Sequence, residues 1–318
     1  MKALRICVLG GTGFVGSHLV FRLAGMGHSI TVPTRRPARH REFRVLPGVQ
    51  LVDANPYNHD RLTAQLRNTD CVINLVGILN EAGSSRFQTA HVELPGAVVK
   101  AMREAGVSRL LHMSALNANV NESRSRYLKT KGAGEDLVHQ TPGIDTTSFR
   151  PSVIFGRDDS FFNRFASLLE LSPLVFPLAC ADARFAPVYI NDVVDAFVRA
   201  LTNRSTIGQR LDLCGPKDYS LGELVRYTAR ITGRNTAVTG LPDFLSRLQA
   251  MMLGMFPGKP FSLDNYYSLK VDSVCKDNAL PKLGITPRSL ESVVPTYLGD
   301  ASMRAQYFQF RASARRNE

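Results

Sequence analysis

Hydrophobic and polar positions in the first half of the chain alternate between two patterns. Short apolar runs, which are typical of buried strands, are followed by stretches with apolar residues at helical spacing. The runs predict strands at residues 4–9, 29–33, 49–52, 70–76, 109–113 and 146–150. The helical stretches predict helices at residues 14–26, 60–66, 87–104 and 126–139. Strands separated regularly by helices indicate right-handed crossovers and a parallel sheet.

After residue 151 the pattern loosens, and prolines divide the chain into short elements. A strand followed by a helix is predicted at 185–201, and a further strand at 210–214. We expect both units to return to the first sheet. The remainder of this half predicts a smaller, mostly helical unit.

A glycine-rich segment at residues 10–16 joins the first predicted strand to the first predicted helix. Its sequence, GGTGFVG, satisfies G-x-G-x-x-G in the strand–turn–helix context that this motif requires. Glycines permit a tight turn and a close approach of the backbone to a pyrophosphate, which the helix N-terminus stabilises. The predicted dinucleotide-binding residues are Gly10, Gly11, Thr12, Gly13, Phe14, Val15 and Gly16.

The glycine turn and the alternation together predict the α/β class. We expect a doubly wound parallel Rossmann sheet with a second, smaller, mostly helical domain. The Rossmann domain, which binds the nucleotide, takes residues 1–155 and about 185–215. The smaller C-terminal domain takes about 156–184 and 216–318 and would carry the substrate or partner surface.

Two arginines at the end of the second predicted strand select the nucleotide. NAD binders usually carry an acidic residue there for the ribose hydroxyls, whereas NADP binders use arginine. This chain has Arg35 and Arg36 and no carboxylate. Their guanidinium groups suit charge-assisted bonds to a 2′-phosphate, so NADP(H) is favoured over NAD(H). The alternative is a solvated basic loop.

Further cofactor contacts are expected where other strands end, because a parallel sheet presents these residues to its ligand. Asp53 is suited to accept a hydrogen bond from the adenine amine. The complete set of these positions is Asp53, Ala54, Leu75, Val76, Gly77, Met113, Ser114, Pro151, Ser152 and Val153.

A tyrosine and a lysine stand four residues apart on the helix predicted at 126–139. Tyr127 and Lys131 therefore share one helical face. A phenol beside a fixed ammonium ionises more easily and can act as general acid or base on a carbonyl or alcohol. Ser114, at the end of the preceding strand, could orient an oxygen. The alternative is two exposed residues on an amphipathic helix.

The net charge of +12 favours acidic partners such as nucleotides, anionic lipid or an acidic protein face. No nucleic-acid-binding motif accompanies the charge, so we do not expect DNA or RNA as a partner. Five scattered cysteines without a C-x-x-C pair argue against a disulfide framework and a cysteine zinc site. The histidines show no paired-ligand spacing, so no metal site is expected.

No apolar stretch approaches the roughly 20 residues of a membrane-spanning helix, and no targeting segment is recognised before the first predicted strand. With the scattered cysteines, this favours a reducing, cytoplasmic location.

Residues 243–256 predict a helix with one apolar stripe, formed by Phe244, Leu245, Leu248, Met251, Met252, Met255 and Phe256. Packing on the protein's own core is the first interpretation. A partner or a membrane interface is the alternative, because methionine-rich faces suit both. Residues 304–316 combine aromatic residues with arginines, which suits an anionic membrane surface as well as a solvated tail. Peripheral attachment to the inner face of the cell membrane is therefore the second localisation we consider.

Taken as a whole, the sequence resembles the short-chain dehydrogenase/reductase superfamily in its extended or atypical form. The glycine turn, the Tyr127/Lys131 pair, residues 150–156 (RPSVIFG) and residues 187–193 (PVYINDV) stand in the expected order. Within the superfamily it is most similar to the Rossmann-fold accessory subunits of mitochondrial complex I and their bacterial homologues. That similarity is carried by residues 72–77 (VINLVG), 114–119 (SALNAN), 125–131 (SRYLKTK) and 154–159 (IFGRDD).

The resemblance implies tightly held NADPH without established turnover, with Tyr127 and Lys131 contacting the nicotinamide ribose. Active epimerases carry a catalytic hydroxyl at the third position of a Ser-Ser-Ser-type run, and here that position is Leu116. A related set of proteins associates with ubiquinone biosynthesis. The leading hypothesis is therefore an NADP(H)-holding protein linked to respiratory complex I or a quinone-biosynthesis assembly, with weak or no turnover.

Two other functions stay open. An active NAD(P)-dependent oxidoreductase or sugar-nucleotide epimerase/dehydratase would use Tyr127 for proton transfer, with its pKa lowered by Lys131. A redox-sensing regulator would report NADPH to a partner, and only the basic charge supports it. The sequence identifies no small-molecule substrate, because the smaller domain would shape that pocket.

Overall fold

A seven-stranded, wholly parallel sheet lies at the centre of the molecule. The computed structural model describes residues 3–81, 86–121, 124–256 and 261–299. The strands in these ranges are β1 (Arg5–Leu9), β2 (Ser29–Thr34), β3 (Val49–Asp53), β4 (Cys71–Asn74), β5 (Arg109–Met113), β6 (Asp145–Pro151), β7 (Ile154–Phe155), β8 (Val175–Leu178), β9 (Arg184–Phe185), β10 (Val188–Tyr189), β11 (Arg210–Leu213), β12 (Tyr219–Ser220) and β13 (Ala237–Gly240).

The order across the central sheet is β11-β6-β5-β4-β1-β2-β3. The chain builds outward from β1 in both directions, so the strand order reverses between β1 and β4. Open parallel sheets bind their ligands beyond the carboxyl ends of the strands at such a reversal. Leu9 and Asn74, which are paired in register, mark that position.

Helices cover both faces of this sheet. The helices of the described residues, including those away from the sheet, are α1 (Phe14–Gly25), α2 (His59–Leu66), α3 (Leu94–Ala105), α4 (Arg126–Gln140), α5 (Phe162–Leu171), α6 (Ile190–Thr202), α7 (Leu221–Ile231), α8 (Asp243–Gly254), α9 (Leu263–Ser268), α10 (Ala279–Lys282) and α11 (Leu290–Val294). Buried residues of α1 and α6 share one core cluster with the sheet, and those of α2, α3 and α4 share another. The doubly wound α/β class predicted from the sequence is confirmed.

The helix predicted over 87–104 is interrupted by a wider turn. A π-helical segment, Thr89–Glu93, precedes α3, whose first turn holds Pro95. Because proline has no N–H, it cannot donate to the carbonyl four residues earlier, which belongs to His91. That carbonyl lies against Gly134 of α4, where a Cβ would be only 1.7 Å from the oxygen. The absence of a side chain on Gly134 therefore lets α4 approach this wider turn closely.

The second half of the chain returns to the sheet through one strand rather than two. β11 pairs with β6 in the central sheet, as predicted. The strand predicted at the start of 185–201 does not join it, because β10 is only two residues long and pairs with β7. Its helix, α6, does return, and Phe197 stacks on Phe149 of β6 with 3.9 Å between ring centroids.

One disulfide joins Cys214 to Cys275, 61 residues further along the chain. The expectation of no disulfide is therefore wrong for this pair. Cys214 directly follows β11, and Ser273 pairs with Phe185, which folds the later segment back over the end of the sheet. Spacing along the chain cannot show this contact. The argument for a reducing compartment, which depended on scattered cysteines, loses its basis.

Most of the apolar stripe of α8 faces outward. Only Ser246 and Ala250 of this helix are buried, whereas Met255 is 80% exposed. Phe244, Leu248, Met251, Met252 and Phe256 are exposed as well. Packing on the protein's own core, the first interpretation of this stripe, is therefore wrong. The buried face of the helix is formed by small residues, which the spacing of large hydrophobic residues does not predict.

The elements outside the central sheet are mainly short helices and three two-stranded sheets. They agree with a smaller helical C-terminal region, while the exact domain boundaries stay a prediction. Within the described ranges, no helix is long and apolar enough to cross a membrane. The arginine-rich segment at 304–316 lies outside the described residues.

Candidate nucleotide-binding site

The glycine turn lies between β1 and α1, beside the strand reversal. Gly10 has a φ of +76°, in the left-handed region that favours glycine. A Cβ on Gly16 would lie 2.2 Å from the carbonyl oxygen of Gly10 and 2.6 Å from the Cα of Gly11. Both neighbours are backbone atoms, so no side chain can move aside. The tight turn therefore depends on glycine at these positions.

The N-terminus of α1 follows Gly13 and points out of this turn. The N–H groups of Phe14, Val15 and Gly16 precede the first intrahelical bond, which Ser17 donates to Gly13 at 2.8 Å. Within the described residues, no side chain caps this end. Its free N–H groups and positive helix dipole suit a pyrophosphate. The half-buried Thr12 completes the turn.

Two basic side chains follow the end of β2. Arg35 and Arg36 are both exposed, and Thr34 before them faces Asp53 across the sheet. The N–H of Ala54 donates to the carbonyl of Thr34 at 3.1 Å. The predicted adenosine-end residues from β2 and β3 therefore meet at one edge of the sheet.

The end of β4 lies directly beside the glycine turn. The N–H of Leu75 donates to the carbonyl of Leu9 at 2.9 Å. The N–H of Val76 donates to Oδ1 of Asn74 at 3.2 Å, which turns the chain away from the sheet. These bonds hold the predicted residues against the turn that would carry the pyrophosphate.

Lys131 reaches from α4 to the ends of β4 and β5. Its ammonium donates to the carbonyl of Met113 at 3.0 Å, and a Cβ on Gly77 would lie 2.9 Å from its Nζ. The side chain is only 5% exposed. Burial lowers its pKa to about 8, while the charge of Glu135 opposes that shift. Three predicted positions on different elements are thus brought together.

Tyr127 stands one turn before Lys131 on α4 and is half-buried. The rings of Phe87 and His91 meet it edge-on, at centroid distances of 5.9 and 5.5 Å. Burial and the carboxylate of Asp264 raise the pKa of the phenol to about 12. The lowered pKa expected from Lys131 is therefore wrong for this arrangement. At neutral pH the phenol therefore carries its proton.

His91 is a site residue that sequence reasoning missed. Its Nε2 accepts from the N–H of Ile78 at 3.1 Å, so its Nδ1 carries the proton toward Thr130 Oγ1, 3.0 Å away. Burial and the charge of Lys131 lower its pKa to about 3, so the ring is neutral. It ties the chain after β4 to α4. A lone histidine within a helical pattern gave no signal for this role.

A buried ion pair lies behind Ser114. The Ser114 hydroxyl donates to Glu135 at 2.9 Å, and Arg150 Nε donates to both carboxylate oxygens at 2.9 and 3.0 Å. The Glu135 side chain is fully buried. The proton of Ser114 is thus directed to Glu135, and its role in orienting a substrate oxygen stays a prediction. Glu135 also escaped the sequence reasoning.

Leu116 is the residue expected from the sequence to replace the reacting hydroxyl of active epimerases, and that correspondence stays a prediction. Its N–H donates to the carbonyl of Pro151 at 3.1 Å. Its side chain is only 6% exposed and packs in a cluster with Ala186, Cys214 and Cys275. The disulfide therefore lies against the side chain of Leu116.

The remaining predicted positions lie at the end of β6. Ser152 is 5% exposed, and its hydroxyl donates to the carbonyl of Ser273 at 2.7 Å. The carbonyl of Val153 accepts from the N–H of Val188 at 2.9 Å. Both residues thus attach later segments of the chain to the edge of the sheet, and their contact with a nucleotide stays a prediction.

The assembled residues fit a dinucleotide. The Gly10–Gly16 turn forms a tight backbone cradle in which a Cβ on Gly16 would strike the chain itself, the start of α1 offers uncapped N–H groups, and two exposed cations follow the end of β2. With Tyr127 and Lys131 one turn apart on α4, this arrangement defines an extended short-chain dehydrogenase/reductase.

Residues 6–222 match the model of the NAD dependent epimerase/dehydratase family. The chain therefore belongs to that family.

Two relatives and one solved structure extend this assignment. The mitochondrial NADH dehydrogenase (ubiquinone) 1 alpha subcomplex subunit 9 of Rattus norvegicus is 31% identical over 293 residues, 89% of this chain and 77% of the relative. A ceramide reductase of Caulobacter vibrioides is 28% identical over 239 residues, 75% of this chain and 74% of the relative. The dTDP-glucose 4,6-dehydratase of Streptomyces venezuelae, solved with NAD bound, has a TM-score of 0.73 at 18% identity, over 96% of this chain and 98% of the other. At that identity the structure supports the fold alone.

Proposed function

We propose that this protein holds NADP(H) with weak or no turnover, as a nucleotide-binding component linked to respiratory complex I or ubiquinone metabolism. The observation that carries the proposal is the contrast between the two halves of the site. The glycine cradle is complete, whereas Leu116 is buried against the disulfide where a reacting hydroxyl would stand. Such a site binds a nucleotide without completing a set of reacting groups.

The preference for NADP(H) over NAD(H) depends on Arg35 and Arg36. Both are exposed at the end of β2, so they can form bidentate bonds to a 2′-phosphate. Asp53, an acidic residue of this edge, belongs to the neighbouring strand β3. It would serve the adenine amine.

The link to complex I is supported by the similarity to subunit 9 of the mitochondrial NADH dehydrogenase along most of both chains. Attachment to an anionic membrane surface, at the inner face of the cell membrane, is supported by the net charge of +12 and by the outward apolar face of α8. Apolar side chains and basic charge together promote interfacial binding.

The first test identifies the nucleotide. Purified protein is denatured, and the released nucleotide is identified by mass. We expect NADPH or NADP⁺ from the wild type. Replacement of both arginines, Arg35→Ala with Arg36→Ala, should reduce that amount and leave the fold unchanged. Recovery of NADH or NAD⁺ from the wild type would contradict the proposed preference.

The second test concerns turnover. A bound nicotinamide supplies hydride chemistry, and Tyr127 could give its proton to a carbonyl oxygen. Because hydride and proton would then both be available, an active oxidoreductase or epimerase is the second candidate. We expect NADPH in the wild type and in Tyr127→Phe to be oxidised equally slowly by quinones and carbonyl compounds. Rapid oxidation by the wild type alone would refute the non-reacting function and establish Tyr127 as a catalytic residue.

The third test concerns location. The purified protein is sedimented with vesicles containing anionic lipid at low salt. In a parallel experiment, cell extracts are separated on native gels to test for comigration with complex I. Binding should fall for Phe244→Asp, which introduces a charge on the outward face of α8. Absence of vesicle binding at low salt would exclude the membrane, and absence of comigration with complex I would exclude stable assembly.

A further inference from the structure

A pocket of about 420 Å³ opens between α8, α9 and the start of α4. Small-molecule sites span about 300–1,000 Å³ and have mostly apolar walls. The apolar part of the wall here is made by Phe87, Ala250, Met251, Met255, Leu263 and Tyr267, and polar and charged residues complete the lining. Its two methionines belong to the outward apolar stripe of α8, which does not pack on the core. Part of that stripe therefore lines a pocket.

The pocket extends from the surface to the surroundings of Tyr127. At the outer rim Met255 is 80% exposed, whereas Phe87 and Ala250 are buried at 3% and 0%. The ring of Phe87 in turn meets the ring of Tyr127 edge-on. An apolar chain that fills the pocket would therefore end one side chain away from the nucleotide site.

The carboxylates at the rim are already satisfied within the protein. Glu81 accepts from Arg126 at 3.1 Å and from the N–H of Phe87 at 3.0 Å. Asp264 accepts from the N–H groups of Arg126 and Tyr127, at 2.6 and 3.1 Å. Neither acidic group is therefore available to a cationic ligand.

Arg124 is the rim cation without such a partner. It is exposed, it lines the pocket, and no carboxylate of the described residues lies within ion-pair distance of it. Arg126, by contrast, is paired with Glu81. Among the described residues, the rim therefore presents one uncompensated guanidinium above a largely apolar cavity, which is complementary to an anionic group attached to an apolar chain.

We propose that this pocket binds a single-tailed anionic amphiphile as a monomer, with its tail against Met251 and Phe87 and its carboxylate or phosphate at Arg124. The site goes beyond the proposed nucleotide function, because neither its wall nor its cation belongs to the nucleotide cradle. It places a lipid-like ligand beside the bound nucleotide.

The probe for this site is a fluorescent undecanoic acid carrying a dansyl group, displaced by unlabelled carboxylates of increasing chain length below their micelle concentrations. The chain contains no tryptophan, so the probe signal is free of energy transfer from that residue. Affinity should rise about fourfold for each buried methylene and stop rising once the pocket is full. An increase without a limit would indicate adsorption to a flat apolar face and overturn the proposal.

Matched variants on α8 separate the pocket from the outward face. Met251 and Met252 are similarly exposed, at 50% and 53%, but only Met251 lines the pocket. Met251→Asp should weaken dodecanoate binding by at least about tenfold, because it places a charge in the apolar wall. Met252→Asp should change it less than about twofold, as expected of an exposed substitution. Equal losses in both variants would overturn the assignment.

The head group is tested with Arg124→Gln, with Arg247→Gln on the outward side as its control. Arg124→Gln should remove the preference for dodecanoate over dodecanol, and Arg247→Gln should preserve it. An unchanged preference in Arg124→Gln would refute the anionic head. Binding to anionic vesicles without saturable binding of monomeric dodecanoate would assign the surface to a membrane and overturn the pocket.

Nucleotide content is measured by mass in the same preparations, which separates the two proposals. NADPH without tail binding refutes the pocket alone. Tail binding without any released nucleotide supports the pocket and refutes the proposed function.

Discussion

Replacement of Gly16 by alanine tests whether the glycine turn is fixed by contact. The added Cβ would lie 2.2 Å from the carbonyl oxygen of Gly10, 2.6 Å from the Cα of Gly11 and 2.7 Å from its carbonyl carbon. All three atoms are backbone, so the turn and the first turn of α1 must separate. Overpacking of this kind costs about 1–3 kcal/mol. Because the same shift moves the N–H groups meant for the pyrophosphate, nucleotide affinity should fall at least about tenfold.

Urea unfolding and nucleotide release, measured on the same preparation, give the two readouts. Gly25→Ala is the matched control, because it lies on the same helix and its Cβ would meet nothing within 4 Å. It should stabilise the protein by up to about 1 kcal/mol, as alanine favours the helix over glycine. If Gly16→Ala keeps both its stability and its nucleotide, the turn does not depend on the close contact between β1 and α1.

Three further substitutions test other parts of the site. The pKa of Lys131 is lowered from 10.5 to about 8, so the folded state disfavours its charge; this cost is complete below pH 8 and fades as pH rises toward 10.5. As pH rises between these values, the free energy of unfolding of the wild type should increase by up to about 3 kcal/mol relative to that of Lys131→Met. If the unfolding free energies of the two proteins change in parallel with pH, the charge of Lys131 is not buried. Cys214→Ser opens a loop of 61 residues and should cost about 4 kcal/mol by loop-closure entropy, measured by urea unfolding without reductant; a disulfide absent from the wild type, by mass, would contradict the pairing. Leu116→Ala should cost about 2–5 kcal/mol while nucleotide retention is unchanged, whereas loss of the nucleotide would place Leu116 in the binding site itself.

The part of the fold that the sequence could predict is the part governed by local patterns. Each strand of the first half lies within two residues of its predicted position, because short apolar runs and buried parallel strands share a length and a composition. The glycine turn was equally predictable, since its residue types follow from close backbone contacts such as that between Gly16 and Gly10. Both signals lie within a single strand–turn–helix unit.

Contacts between distant segments were not predictable in this way. Glu135 is an ordinary acidic residue on an amphipathic helix until folding brings Arg150 and Ser114 to it. The disulfide likewise depends on Ser273 reaching Phe185 across the chain. For α8 the pattern predicted the helix correctly, but apolar spacing is the same for a stripe that packs inward and one that faces a pocket or a partner.

Binding and catalysis depend on different kinds of atoms in this site, which is why one can persist without the other. The cradle is made by backbone N–H groups and by the absence of side chains at Gly10 and Gly16, so few substitutions elsewhere can remove it. Proton transfer needs particular side chains with suitable pKa values, and here burial raises that of Tyr127 to about 12 while Leu116 supplies no hydroxyl. A glycine turn with intact sequence therefore indicates a nucleotide far more strongly than it indicates a reaction. In this chain the side chains around the turn determine what the bound nucleotide does.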